Sequence, residues 1–326
     1  MSETRHVVLV TYGEPPTAAF VEQLVYSWRI LLGLTRTVAP IPAPLVPAIA
    51  LARAWTRTRS WSAYRYTSPL EPITEHQRRQ LVMALAGAHG DVDWDVHVAY
   101  EFRRPLVADV LRQIPDDDEA IIVPVYAADS AFTHALSREV ARPMNAGRVR
   151  AIHVAGALPV DALAGLSAAH VLAQTTDDGW RGGDVALVLA AHGTVLDPPT
   201  PIDTGLAATQ ALCDAIAAQL STHFRLVVNG WLNHTRGGRW TQPPIDAALA
   251  RVAASGCRRV VYYPYGFLAD NAESQLEGRV ALEAIRPVES RHLPCLNDSP
   301  ALAALIAGQV AAVRASRPGK LGSSAA

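Results

Sequence analysis

The chain has few cysteines, no excess of charge of either sign and no long apolar run. Only Cys213, Cys257 and Cys295 occur in 326 residues, and no Cys-x-x-Cys spacing relates them, so we expect structural thiols and neither a disulfide framework nor a zinc knuckle. Lys and Arg number 29 against 30 Asp and Glu, which gives no reason to expect a nucleic-acid partner.

Several familiar motifs are also missing. Apolar stretches are interrupted well before the roughly 20 residues that cross a bilayer, and the first residues lead into a strand-like run without an export signal. We therefore expect a soluble, cytoplasmic protein. No Gly-x-Gly-x-x-Gly and no Gly-x-x-x-x-Gly-Lys occurs, so no nucleotide cofactor is predicted, and the absence of Gly-x-Ser-x-Gly disfavours a serine hydrolase.

Apolar runs alternate with helical patterns, as in βαβ units. Predicted strands cover 6–10, 95–100, 120–125, 149–154, 185–191, 225–230 and 259–263. Predicted helices cover 17–32, 105–113, 204–220, 243–255, a stretch from 272, and 300–315. The order describes an α/β protein with buried parallel sheets.

The two halves of the chain follow one plan. VVLVTYG at 7–13 is similar to ALVLAAHG at 186–193, and IIVPVYAADS at 121–130 is similar to VVYYPYGFLAD at 260–270. Such similarity can also arise by chance in Val- and Ile-rich strands. We predict an N-terminal half at 1–174, a C-terminal half at 175–299, and a final helix at 300–316 that packs back on the first half.

Two predicted strands of the second half end in polar side chains. The run 184–191 leads into His192, and the run 259–263 leads towards Asp270 and Glu273. Ligands of open parallel sheets bind beyond the carboxyl ends of strands. A neutral imidazole beside a carboxylate is suited to a borderline divalent metal or to proton transfer, and Asp270 is expected to cap the following helix.

Seven segments in this order resemble the ferrochelatase family. They are YGEPP at 12–16, SPLEPIT at 68–74, VPVYAADSAFT at 123–133, AAHG at 190–193, RGGRWTQP at 236–243, YGFLADNAES at 265–274 and LPCLND at 293–298. The resemblance implies two Rossmann-like domains, each a parallel four-stranded sheet flanked by helices, with a porphyrin cleft between them. It also implies insertion of Fe(II), the substrate metal, into protoporphyrin IX or coproporphyrin III in haem biosynthesis.

The same resemblance implies roles for particular residues. His192 and Glu273 would be catalytic and would face each other across the macrocycle. Together with Glu277 they would bind the metal. Glu277 follows Glu273 by four residues and would extend an acidic track on one helix face, or be an ordinary solvated residue. Contacts to the porphyrin are expected from Tyr12, Arg29, Ser68, Ser130, Trp240 and Phe267. Other candidate partners for its propionates are Arg103, Arg104, Arg236 and Arg239.

Departures from the family pattern leave alternatives open. Asn271 occupies a position where relatives often carry His. The C-terminal residues contain no group of cysteines, so no iron–sulfur cluster is expected. The alternatives are a non-catalytic tetrapyrrole-binding protein and a chelatase for another metal or tetrapyrrole, such as sirohydrochlorin. The protein is expected to be a monomer or a homodimer.

The proline-rich segment 34–55 carries little charge. It is expected to be a loop packed on the first helix, or an apolar lip of the cleft that touches a membrane surface transiently. Val38, Ile41, Leu45, Val46 and Ile49 would form that lip.

Overall fold

The computed structural model describes residues 4–37, 42–88, 92–176, 179–233, 239–285 and 289–315. Within these ranges the chain forms two four-stranded parallel sheets, ordered β2-β1-β3-β4 and β6-β5-β7-β8. The first comprises β1 (Thr4–Thr11), β2 (Asp93–Tyr100), β3 (Glu119–Pro124) and β4 (Ile152–Val154). The second comprises β5 (Gly182–His192), β6 (Phe224–Leu232), β7 (Arg259–Tyr263) and β8 (Glu289–His292). The prediction of two four-stranded parallel sheets is confirmed.

Helices flank the sheets. They are α1 (Phe20–Thr37), α2 (Val46–Ala63), α3 (Leu70–Ala88), α4 (Val107–Leu111), α5 (His134–Met144), α6 (Val160–Thr175), α7 (Leu206–Leu220), α8 (Ile245–Ala254), α9 (Gly278–Glu283) and α10 (Pro300–Ala315). A short 3-10 turn, Ala43–Leu45, precedes α2, and a π-helical segment, Ala272–Glu277, precedes α9. Among the described residues, no helix combines the length and the apolarity that crossing a bilayer requires.

The central strands are buried on both faces, which explains their unbroken apolar runs. In β1, Val7 and Leu9 belong to one apolar cluster while Val8 and Val10 belong to another. Because side chains alternate along a strand, these two sets cover opposite faces of the sheet.

One apolar cluster contains residues of both sheets. Leu9 of β1 and Leu189 of β5 belong to it, together with Val171 of α6 and Ile216 of α7. α10 packs against α3 and α6 of the first half. The division into domains at 174 stays a prediction, because the two halves share this core.

The segment 34–55 was wrongly expected to be irregular. α1 continues to Thr37 and α2 starts at Val46, while residues 38–41, which include Val38 and Ile41, lie outside the described residues. Pro47 stands in the first turn of α2, where the missing N–H of proline removes no helical hydrogen bond. Val46 is buried against Leu31 of α1 and does not form a lip.

Candidate active site

The carboxyl end of β5 and the π segment bring His192 and Glu273 into direct contact. Nδ1 of His192 lies 2.9 Å from Oε2 of Glu273. About half of the His192 side chain is exposed, against a quarter for Glu273. An ionised carboxylate only accepts hydrogen bonds, so the imidazole carries its proton on Nδ1 and, when neutral, has its lone pair on Nε2.

This contact corrects the arrangement implied by the family resemblance. A porphyrin cannot lie between two side chains whose polar atoms are 2.9 Å apart. His192 and Glu273 would therefore approach a bound macrocycle from the same side, as one hydrogen-bonded pair.

Close backbone packing fixes the end of β5. The N–H of Gly266 donates to the carbonyl of Ala190 at 3.2 Å. A Cβ atom at Gly266 would lie 2.7 Å from that of Ala191, inside van der Waals contact, so only glycine allows this approach. On the other side, the N–H of Gly193 donates to the carbonyl of Leu232 at 2.8 Å.

Asn271 caps the helical segment that carries Glu273. Its buried side-chain oxygen accepts the N–H groups of Glu273 at 2.9 Å and Ser274 at 3.0 Å, and its amide donates to the carbonyl of Ala269. The expectation that Asp270 caps this helix was wrong. The Asp270 carboxylate instead accepts the N–H of Cys295 at 2.7 Å, because the 293–298 loop packs against it.

The π segment sets the spacing of its carboxylates. Its wider turn, like an α turn, leaves residues four apart on nearly the same side, so Glu277 follows Glu273 along the segment. Arg53 of α2 lies within electrostatic reach of both. Burial lowers the pKa of this guanidinium and neighbouring Arg57 lowers it further, whereas Glu273 and Glu277 act in the opposite direction.

Glu14 was missed as a site residue by the sequence analysis. Only 1% of it is exposed, and its carboxylate accepts the Ser68 hydroxyl and the N–H of Ala272 at 3.1 Å. Burial raises the pKa of Glu14 to about 7, and the charge of Glu273 adds to that rise. Glu14 lies three residues after β1, within YGEPP at 12–16, and this position after a buried strand is the sequence feature that indicates it.

Arg57 joins α2 to α1 beside Glu14. Its Nε donates to Oε1 of Gln23 at 2.8 Å, and its guanidinium lies 5.0 Å from the ring centres of Tyr26 and Trp61. Its positive charge opposes the rise in the pKa of Glu14. Arg57 carries no signal in the sequence, because no local pattern indicates that α2 packs near the end of β1.

Several polar atoms here are buried without a hydrogen-bond partner in the described part of the chain. They are the hydroxyls of Tyr12, Ser27 and Tyr126, Nε of Arg53 and Nη2 of Arg57. Buried polar groups are normally paired, so such atoms suit a ligand or bound water. Burial raises the pKa of Tyr12 well above its usual range, and the negative charges of Glu14 and Glu273 add to that rise.

The remaining predicted porphyrin contacts are spread over several loops. Ser68 is bonded to Glu14, and the Ser130 hydroxyl accepts the N–H of Phe132 at 3.1 Å. Arg29 donates to the carbonyl of Phe102 at 3.3 Å. Trp240 forms a bridge with Val195, three residues after His192, and Phe267 follows Gly266 in the turn after β7.

The other candidate arginines are paired or lie outside the described residues. Arg103 contacts Glu71 at 2.5 Å, Arg104 contacts Asp109 at 3.0 Å and Arg239 contacts Asp197 at 3.3 Å. Arg236 lies outside the described residues. The three cysteines are buried free thiols.

The fold is similar to that of CbiX, whose structure is described as that of the terminal enzyme for biosynthesis of siroheme in denitrifying bacteria. The TM-score is 0.52 at 17% identity, over 94% of this chain and 99% of CbiX. The fold is thus that of chelatases.

A sequence model of the ferrochelatase family matches residues 4–313, and this chain belongs to that family. The ferrochelatase of Phenylobacterium zucineum is 27% identical over 72% of this chain and 68% of its own length. The ferrochelatase of Caulobacter vibrioides is 27% identical over 85% of this chain and 80% of its own length. The ferrochelatase of Xylella fastidiosa is 26% identical over 93% of this chain and 95% of its own.

Proposed function

We propose that this protein is a metal-chelating lyase that inserts Fe(II) into a porphyrin, protoporphyrin IX or coproporphyrin III, in haem biosynthesis. The contact between His192 and Glu273 supports this proposal most directly. Metallation exchanges two pyrrole protons for the ion, which must also lose water. The site therefore needs a group that accepts protons and a group that stabilises the positive charge of the ion and of the protonated base.

His192 would accept a pyrrole proton on Nε2, while Glu273 holds the imidazole and stabilises the imidazolium that forms. The same lone pair could ligate Fe(II) before insertion, with carboxylate oxygens from Glu273 and Glu277. Released protons would leave along Glu273 and Glu277.

Glu14 would complete this proton path from the other half of the chain. With a pKa of about 7, it can exist in both protonation states near neutral pH. Arg53 and Arg57 would limit the negative charge that accumulates while the ion is absent.

The porphyrin would be held mainly through apolar area, with Tyr12, Arg29, Ser68, Ser130, Trp240 and Phe267 around it. Trp240 and Phe267 are the best supported of these contacts, since each lies on a loop joined to the end of β5. Ser68 and Ser130 are engaged in local hydrogen bonds and would contact the ring only while keeping them.

The decisive experiment is anaerobic Fe(II) insertion with protoporphyrin IX, coproporphyrin III and sirohydrochlorin in parallel. We expect turnover with one of the two porphyrins and at most background with sirohydrochlorin. The blank is the double variant His192→Ala/Glu273→Gln. Porphyrin binding without turnover would support a tetrapyrrole carrier, and turnover of sirohydrochlorin alone would support the other chelatase class.

The same proposal gives the protein a cytoplasmic location with transient membrane contact. It would act as a monomer or homodimer, without an iron–sulfur cluster, a nucleotide or a nucleic-acid partner. Support for membrane contact comes from exposed apolar side chains on one side of α1. They are Val21, Val25, Trp28 and Leu32. Their spacing of four, three and four residues forms one stripe, and Leu51 and Trp55 of α2 are also exposed.

A further inference from the structure

The first sheet carries a second group of metal-ligating side chains at the amino ends of its strands. His6 of β1 lies two residues before Val8, and Asp95 and His97 of β2 lie four and two residues before Ala99. Residues separated by an even number of positions point to the same face of a sheet. Val8 and Ala99 belong to the same apolar cluster, so the three side chains lie on one face. Neither the proposed chemistry nor the family resemblance uses these residues.

The distances match a tetrahedral site. Nδ1 of His6 lies 3.0 Å from Nε2 of His97 and 3.5 Å from Oδ2 of Asp95. Nε2 of His97 and Oδ2 of Asp95 are 3.2 Å apart. Three ligands of a tetrahedral zinc ion lie about 3.3 Å from one another when the metal–ligand bonds are about 2.0–2.1 Å. The three atoms therefore already form one face of such a tetrahedron.

A fourth residue supplies the outer support that metal-binding histidines usually have. Nε2 of His6, the nitrogen turned away from the cluster, lies 3.3 Å from Oδ2 of Asp118 just before β3. A carboxylate on the second nitrogen fixes the tautomer and ring orientation of a ligating histidine. Arg78 lies within electrostatic reach of His97, and its Nη2 donates to Oε1 of Glu75 at 2.8 Å.

We propose that His6, Asp95 and His97 bind a first-row divalent cation, with zinc bound more tightly than Fe(II) and water in the fourth position. Two imidazoles and one carboxylate are the mixed nitrogen and oxygen donors that these ions prefer. His6 is buried, whereas 54% of Asp95 and 30% of His97 is exposed, so the open position faces solvent and the ion can exchange.

This site is separate from the candidate active site. His6 stands five residues before the carboxyl end of β1, roughly 17 Å along the strand. His192 and Glu273 belong to the other sheet and its loops. The two sites can therefore be tested independently.

The test uses the full chain, stripped of metal with a chelator and titrated with Zn(II) in the His192→Ala/Glu273→Gln background, which removes the candidate active site. One zinc equivalent should remain, and adding His97→Ala or Asp95→Ala should abolish it. Asp118→Asn should keep the stoichiometry and weaken binding about 10- to 100-fold. Co(II) should give the visible absorption of a four-coordinate ion, and Fe(II) titrated anaerobically should bind more weakly than zinc.

His76→Ala is the matched control, because His76 faces a single carboxylate, Asp298, at 3.5 Å. It should not alter zinc binding. In the otherwise wild-type chain, His97→Ala should leave porphyrin metallation unchanged. The proposal is overturned if the background variant binds no zinc, or if the folded Asp95→Ala and His97→Ala chains, checked by circular dichroism, bind as it does.

Discussion

The Glu14 carboxylate accepts the backbone N–H of Ala272 at 3.1 Å, across 258 residues of sequence. Glu14 follows β1 of the first sheet, and Ala272 opens the π segment that carries Glu273. The two halves are thus joined by a buried hydrogen bond one residue from the proposed catalytic carboxylate. Its acceptor is an ionisable group, so the protonation of Glu14 affects both stability and the site.

Glu14→Gln should flatten the dependence of stability on pH. Burial raises the pKa of Glu14 from about 4.5 to about 7, so the native state favours the protonated form. The contribution of protonated Glu14 to the free energy of unfolding is complete below pH about 4.5 and is lost as the pH rises through about 7. The free energy of unfolding therefore falls by about 3 kcal/mol over this range. Glutamine mimics the protonated acid at every pH. Urea unfolding between pH 4.5 and 8 measures the change in slope.

Glu101→Gln is the matched control for that measurement. Burial also raises the pKa of Glu101 to about 7, but its carboxylate accepts the Ser137 hydroxyl and contacts neither His192 nor Glu273. Both variants should flatten the stability profile, whereas only Glu14→Gln should alter the pH profile of metal insertion. Identical activity profiles for the two variants would remove Glu14 from the proton path.

His192→Ala should lower the rate of Fe(II) insertion by about 10²- to 10⁴-fold, the range typical of lost general-base catalysis. Porphyrin affinity should change little, because a large flat ring binds mainly through apolar area. Initial rates and fluorescence quenching on porphyrin binding measure the two effects. His76→Ala again serves as the control, and near wild-type turnover in His192→Ala would exclude the proposed role.

Glu273→Gln should be nearly as damaging as His192→Ala, because the amide keeps the shape but neither carries charge nor takes a proton. Glu277→Gln should be milder, since Glu277 does not supply the 2.9 Å contact to His192. The kcat of each variant, measured with saturating metal, is compared with that of the wild-type chain. Equal losses would mean that the two carboxylates act as one unit, and no loss in Glu273→Gln would contradict the mechanism.

Asn271→Ala should lower both stability and turnover. Loss of a helix cap costs about 0.5–2 kcal/mol, and the N–H groups of Glu273 and Ser274 would lose their acceptor. We expect kcat to fall while the KM for porphyrin stays near its wild-type value. Asn271→Ser restores a capping oxygen and should recover most of the activity. Full activity in the alanine variant would show that the cap does not position Glu273.

Exchanging Val25 and Trp28 for Ser should weaken binding to lipid vesicles several-fold, because both are exposed on the same stripe of α1. Vesicle co-sedimentation measures the effect. The control pair is Met83→Ser with Val149→Ser, two exposed apolar residues outside α1 and α2. Equal loss in both pairs, or no binding by the wild-type chain, would contradict membrane contact through this surface.

The sequence was informative where one residue type has one structural use. The apolar runs of β1 and β5 predicted buried parallel strands, because a sheet covered on both faces requires apolar side chains throughout. It was less informative for α2. Prolines near the start of α2 favour an irregular loop in the sequence, although proline is also compatible with a first helical turn.

The sequence by itself determined the alternation of buried parallel strands with helices and the strand end from which His192 projects, since both follow from local patterns of apolar and polar residues. The tertiary structure decided which side chains touch. The 2.9 Å contact of His192 with Glu273, the contact of Glu14 with Ala272, and the contact of His6 with His97 join residues 81 to 258 positions apart. Such contacts depend on strand order and register, which are fixed when the whole core packs, and no local pattern encodes them.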